Sequence, residues 1–334
     1  MIKYYLTGSV LKLFSCCAAS RAIYRCIGNA VGARKRKNGR IPQYYINRVK
    51  QLLEDNRKFG FLRDGAKVLE LGTGWLHWEA IAARLFYDIE ATLFDVWDNR
   101  QLSGMKHYVS QLQMHLPNLG ISKEQIERAE VLIRKITKVE SFQELYDLLG
   151  FTYVLEPDGR MDSVEKDYYD VVISAGVMEH IKISTLPLML KSINEVLKPG
   201  GLSIHHINLM DHIRAYSKSA SCKQYLTYSE SHWRRFLQNE VQYINRLQRP
   251  EWLELFREAG LELVRERCSR QEIFPLEISE QFRVFSLPDL NVATINLIHM
   301  RPADVAIPNL SLSPEAMKND DFSPEKQPKP ASGS

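Results

Sequence analysis

The 334-residue chain contains no uncharged apolar run long enough to cross a bilayer as a helix. Its N-terminus lacks the compact basic-then-apolar layout of a signal peptide. No Cys-x-x-Cys spacing occurs, which removes the usual thiolate metal sites. The five cysteines, Cys16, Cys17, Cys26, Cys222 and Cys268, are odd in number, and three crowd near the N-terminus. Free thiols in a reducing, cytoplasmic compartment are the expectation. There is no internal repeat. A net charge of +4 is too weak to demand a nucleic-acid partner.

What the chain does have begins with an apolar stretch, residues 1–28, broken by Lys3, Lys12, Arg21 and Arg25 and followed by the basic cluster ARKRKNGR at residues 33–40. Two readings stand on sequence alone. A helical arm over residues 1–48 packs on the domain edge, or it lies on an anionic membrane surface through residues 1–40. At the other end, residues 305–334 are rich in Pro, Ser, Lys and acids, and are expected to be a disordered tail.

Between them the pattern alternates. KVLEL, residues 67–71, is a short apolar run that stops at glycine, so a strand and a turn. LHWEAIAARLF reads as the following helix, and IEATLFD as a second strand. Residues 101–149 read as helical. SKEQIERAEVLIRKI is read as a Ser cap with a following acid at capping-box spacing. FTYVL, YYDVVISAG and LSIHHINL are the third to fifth strands, with a helix before the last one stopped by Pro199, Gly200 and Gly201. LELVRER and ATINLIHM complete seven. This predicts an α/β fold: a doubly wound, mostly parallel seven-stranded sheet, over residues 49–304. Residues 211–260 break the alternation and read as a helical cap inserted after strand five.

In such sheets ligands bind beyond the carboxyl ends of the strands. The first turn, ELGTGWLH, resembles a dinucleotide loop, but His77 stands where a third glycine is wanted. Glu70 places a carboxylate beside the turn, which would repel a pyrophosphate and suit a cationic ligand. Four pieces in order, VLELGTG, TLFD, YYDVVISAGVMEHI and LKPGG, resemble the class I S-adenosylmethionine-dependent methyltransferases. That resemblance implies S-adenosylmethionine as cofactor. It implies cofactor contacts from Glu70, Gly72, Thr73, Gly74 and Trp75, and from Ser174 at the end of strand four. Asp95 would hold the ribose hydroxyls, and an acid after strand three, Asp158 ahead of Glu156 and Asp162, would sit near the adenine. Asp95 is also read as a helix cap, Glu70 as an anchor behind the turn, and Trp78 as a seal between helix and sheet.

Methyl transfer to a hydroxyl is helped by a base near neutral pKa. Glu179 and His180 leave strand four at the ligand end, and Asp211 and His212 leave strand five. All four are candidate catalytic residues, with His212 the first choice and Asp211 its support. Capping or pocket-lining roles stand beside these. HHINLMDH with a later NRL also resembles a bacterial methyltransferase subgroup, which makes Asn245 and Arg246 candidate substrate or lid contacts. No metal is expected, because His205 and His206 point to opposite sides of one strand. The acceptor implied is a small molecule or a glycan- or lipid-linked group, with O-methylation preferred to N-methylation. The exit from strand four lacks the Asn/Asp-Pro-Pro-aromatic element of base-amino methyltransferases, so nucleic acid is not favoured. A non-catalytic adenosyl-binding protein or a membrane-surface scaffold is the alternative.

Overall fold

The computed structural model describes residues 1–217, 219–273 and 276–303. The segment read as a disordered tail lies outside them. The seven predicted strands form one sheet in the order β3-β2-β1-β4-β5-β7-β6. They are β1 (Lys67–Leu71), β2 (Glu90–Asp95), β3 (Phe151–Leu155), β4 (Tyr169–Ala175), β5 (Leu197–Asn208), β6 (Glu262–Arg270) and β7 (Val292–Met300). The first five pair in parallel, and β7 runs antiparallel to both β5 and β6. Strand order reverses between β1 and β4, so their carboxyl ends open the ligand crevice.

Helices α4 (Trp78–Phe86), α5 (Leu102–Leu112), α6 (Lys123–Ile136) and α7 (Phe142–Leu149) contribute to one apolar core with α3 (Gln43–Phe59). On the other side α8 (Leu186–Val196) and α9 (Arg249–Glu258) contribute to a second. Local sequence starts these helices where expected. Ser122 accepts the Gln125 N–H at 3.1 Å while Gln125 Oε1 accepts the Ser122 N–H at 3.2 Å. This box closes on Gln125 at the third helical position, not on the acid before it.

The insertion departs from its helical reading. Across residues 211–248 the chain makes short 3₁₀, α and π turns of three to five residues, and α9 begins only at Arg249. The cause is local. Asp211 accepts the Ile213 N–H, Ser229 the His232 N–H and Asn239 the Gln242 N–H. Such side chains offer the backbone an alternative to the helical ladder.

The arm is folded rather than trailing. Helices α1 (Ile2–Phe14) and α2 (Ala18–Asn38) meet at a turn. Tyr4 and Leu11 of α1 share a third core with Ile213, Tyr225, Trp233 and Leu237 of the insertion. A Cβ at Gly8 would come within 2.8 Å of Leu237, so the glycine permits this close approach. α2 lies along α5.

Candidate active site

The turn after β1 is built for backbone contact. Gly72 and Gly74 have φ of 64° and 57°, a region that favours glycine. A Cβ at Gly72 would run into the Val177 side chain, whereas at Gly74 the nearest atom is the Gly72 carbonyl at 3.7 Å. His77 also sits in the left-handed region, at φ 50°. Its ring compensates for the missing glycine by burial: Nδ1 bonds the Thr73 hydroxyl, and Nε2 lies 3.1 Å from the Tyr146 hydroxyl. Burial, together with Arg100, pushes its pKa down to about 3, so it is a neutral packing group.

Asp95 ends β2 with its carboxylate aimed back at the turn. One oxygen accepts the Gly74 N–H at 2.7 Å, and the other accepts Val96 N–H at 2.8 Å and Trp97 N–H at 3.2 Å. Glu70 is buried and accepts the Ala80 N–H at 2.9 Å, in the first turn of α4. That is the anchoring placement of its two readings. Burial raises its pKa well above the carboxylate range. Trp78 is buried and donates to the Tyr45 carbonyl, the sealing role expected of it. Thr73 is spent on His77. Ser174 hydrogen-bonds His205 at 2.7 Å, and the His205 ring lies 5.3 Å from that of Phe256 on α9. Its hydroxyl is committed to the interior, against the reading as a cofactor contact.

Asp158 is exposed and paired with Arg160. Glu156, one residue past β3, keeps one buried carboxylate oxygen without a partner, and the Tyr153 hydroxyl on β3 is likewise buried and unpartnered. Buried polar atoms are normally hydrogen-bonded. Two unpartnered polar groups at the end of β3, the strand paired with the Asp95 strand, together with the glycine turn fit a polar nucleoside ligand.

A family model for a methyltransferase domain matches residues 41–266. The chain belongs to this methyltransferase family. It is a class I, S-adenosylmethionine-dependent enzyme with the Rossmann-like sheet described above. Among curated proteins none matches its sequence. Among solved structures it is similar to phosphoethanolamine N-methyltransferase 2 of Haemonchus contortus in complex with S-adenosylmethionine, at 16% identity and a TM-score of 0.44. That likeness covers 75% of this chain and 52% of the other, so the chain spans about half of that enzyme. It is also similar to a SAM-dependent methyltransferase from Methanosarcina mazei, at 13% identity and a TM-score of 0.39, over 73% of this chain and 96% of that one.

A cavity of about 1230 Å³ lies between the β4 and β5 exits, the insertion and the arm. His180 and His212 line it, and the buried Glu179 brings a carboxylate oxygen within 4.8 Å of their ring nitrogens. The His180 Nδ1 donates to the Tyr243 carbonyl at 2.7 Å, so Nε2 carries the free lone pair. Asn208 is fixed by the Met210 N–H on its oxygen, and its amide nitrogen donates to His212 Nε2 at 3.3 Å. The lone pair of His212 is therefore occupied. Desolvation by the surrounding walls lowers both imidazoles, His212 to about 4, while the His180 side chain stays open to solvent.

Asp211 does not support His212 as expected. Its carboxylate accepts the Tyr4 hydroxyl at 2.5 Å and the Ile213 N–H at 2.9 Å, tying the arm to the insertion. Asn245 is buried and donates to the Met178 and Ile181 carbonyls, clamping the β4 exit. Arg246 pairs with Glu230 and lies 4.7 Å over the Trp233 ring inside the insertion. Neither lines the cavity; both hold its walls.

What sequence reasoning missed is the arm's share of the site. Arg21, Arg25 and Arg36 of α2 line the cavity with Arg214. Arg25 lies 3.6 Å over Trp97, Arg36 lies 3.8 Å over Trp75, and Asn29 accepts the Trp75 indole N–H at 2.8 Å. Trp75 is thus an arm contact at the glycine turn. The signal was present: positions 21, 25, 29 and 36 share one face of a helix.

Glu179 is buried, with one oxygen on the Asn208 N–H at 3.3 Å and the other unpartnered. Burial pushes its pKa up to about 8. In the folded chain this carboxyl keeps a proton that the unfolded chain, near 4.3, has lost. The stability it contributes is present below that value and disappears as pH rises towards 8. Glu179→Gln removes the titration and keeps the acceptor. Without cofactor, its melting temperature at pH 8 should exceed the wild type by at least about 4 °C, the displacement from about 4.3 to about 8 corresponding to at most about 5 kcal/mol. The gap should close towards pH 5. A constant gap across calorimetric scans from pH 5 to 8 would remove the ionisation argument.

Proposed function

We propose that the enzyme methylates an oxygen of an anionic acceptor, a small molecule or a glycan- or lipid-linked group bearing phosphate or carboxylate. The observation that carries this reading is a cavity with an oriented imidazole lone pair, His180 Nε2, on its floor and four arginines on its wall. Arginine forks match planar and tetrahedral oxyanions. The wall acids, Glu240 and the committed Asp211, are too few to neutralise them.

On the donor side, the backbone at Gly72 and Gly74 would cradle the cofactor, with Asp95 at the ribose hydroxyls and Glu156, in preference to Asp158, near the adenine. The bound sulfonium supplies an already activated methyl group, so the protein's task is alignment and proton removal. The arginines hold the acceptor's charge and orient its hydroxyl. His180 Nε2 would take the proton that the acceptor hydroxyl gives up on being methylated. The Tyr243 carbonyl supports the imidazolium that forms. His212 completes the floor, with Glu179 buried behind it.

Incubating the protein with cell extract and isotopically labelled methyl donor, then separating products by mass spectrometry, tests this. Label on an oxygen of an anionic product is expected. Label on nitrogen refutes the O-methyl reading, and cofactor binding without any labelled product favours an adenosyl-binding scaffold. A second reading, metal-assisted transfer, is favoured by the Glu179–His180–His212 convergence. Loss of turnover on chelation, restored by a divalent ion, would select it.

A further inference from the structure

Helix α2 presents its faces in an unusual sense. Its polar face, with Arg21, Arg25, Asn29 and Arg36, turns inward onto the cavity. Its outward face, Ala22, Ile23, Cys26, Ile27, Ala30 and Val31, is exposed. No polar side chain interrupts that face between Ala18 and Val31, and Val31 is 65% exposed. A surface helix normally shows the reverse. The apolar strip ends in exposed Arg34, Lys35 and Lys37. α1 carries a second exposed apolar row, Ile2, Leu6, Val10 and Leu13, with Ile2 80% exposed. Residues 1–53 contain no Asp or Glu at all; the first acid is Glu54.

We infer that the arm docks on an anionic bilayer, with the outward face of α2 seated at the headgroup–acyl boundary and its basic end on lipid phosphates. An apolar face bounded by positive charge is the pattern of an interfacial helix, whose binding adds apolar burial to electrostatic attraction. Among the described residues no helix is long and apolar enough to cross a membrane, so the helix lies along the surface. Charge decides between occupants. The arm of a second copy brings no acid to Arg34, Lys35 and Lys37, whereas anionic headgroups do. α2 is then shared between the bilayer and the acceptor cavity, which brings lipid-linked acceptors within reach; this last step rests on the methyl-transfer reading above, while docking does not.

The test is co-sedimentation of the full chain with phosphatidylcholine vesicles, with and without phosphatidylglycerol. Binding should be at least about tenfold tighter with the anionic lipid and should weaken as salt is raised. Ile27→Asp with Val31→Asp should lower binding at least about tenfold, because both side chains leave the acyl boundary. Arg34→Gln with Lys35→Gln and Lys37→Gln should abolish the preference for anionic lipid. The melting temperature and calorimetric affinity for S-adenosylhomocysteine of both variants should match the wild type. A wild type left in the supernatant with anionic vesicles overturns the proposal, as do variants that bind undiminished. A dimer seen by ultracentrifugation and dissociated by Ile27→Asp, with no vesicle binding, assigns the face to self-association instead. Failure to bind S-adenosylhomocysteine would count against the methyl-transfer reading alone.

Discussion

Asp95→Ala should weaken binding of S-adenosylmethionine and S-adenosylhomocysteine by at least about 100-fold in calorimetry. Two losses combine. On the proposed reading the carboxylate accepts two ribose hydroxyls, and hydrogen bonds to a charged group are worth about 1.5–3 kcal/mol each. Their sum exceeds the roughly 2.7 kcal/mol that a 100-fold change requires. The same carboxylate holds the Gly74, Val96 and Trp97 N–H groups, so its removal also unpins the turn that cradles the ligand. Asp95→Asn separates the contributions. It retains one acceptor oxygen and loses the charge, and about a tenfold loss is expected. The burial that raises the pKa of Asp95 is opposed by these three backbone donors. An affinity within threefold of wild type for the alanine variant, with an unchanged melting temperature, would leave Asp95 as a loop cap only.

Asp95 and the glycine turn were legible in sequence because their geometry is local. A strand that ends at glycine, and an acid that ends the next strand, place themselves once the sheet is parallel. The sheet itself was legible for the same reason: its strands are short apolar runs stopped by turn residues. Three things were not. The insertion has helical composition, yet its Asp, Ser and Asn side chains satisfy backbone groups locally and break it into short turns. Asn245 and Arg246 stood near a motif, but long-range packing turned them inward onto the β4 exit and Trp233. Asp211 and His212 are adjacent in sequence and separate in role. Asp211 is claimed by Tyr4, 207 residues away, a partner that no spacing rule finds. The arginines of α2 belong to the same class, since their faces are periodic in sequence but what those faces meet is decided by tertiary docking.

The order of the two histidines is the sharpest consequence of that tertiary information. His180→Ala should lower turnover about 10²–10⁴-fold, the range of a positioned general base, with S-adenosylhomocysteine affinity within threefold of wild type. His212→Ala should cost less, about tenfold, because its lone pair already accepts from Asn208 and it acts by packing 4.9 Å from the His180 ring. The pH profile carries the assignment. Desolvation holds His180 below the ordinary imidazole value of about 6.5, so it is a neutral base at pH 7. The acid limb of kcat should therefore fall below that value and vanish in His180→Ala, while remaining in His212→Ala. His180→Gln should not restore the limb, since an amide cannot take the proton. Full turnover in both alanine variants would mean that the acceptor arrives with its lone pair free, as an amine does. The arginine-lined cavity would then serve N-methylation without a base.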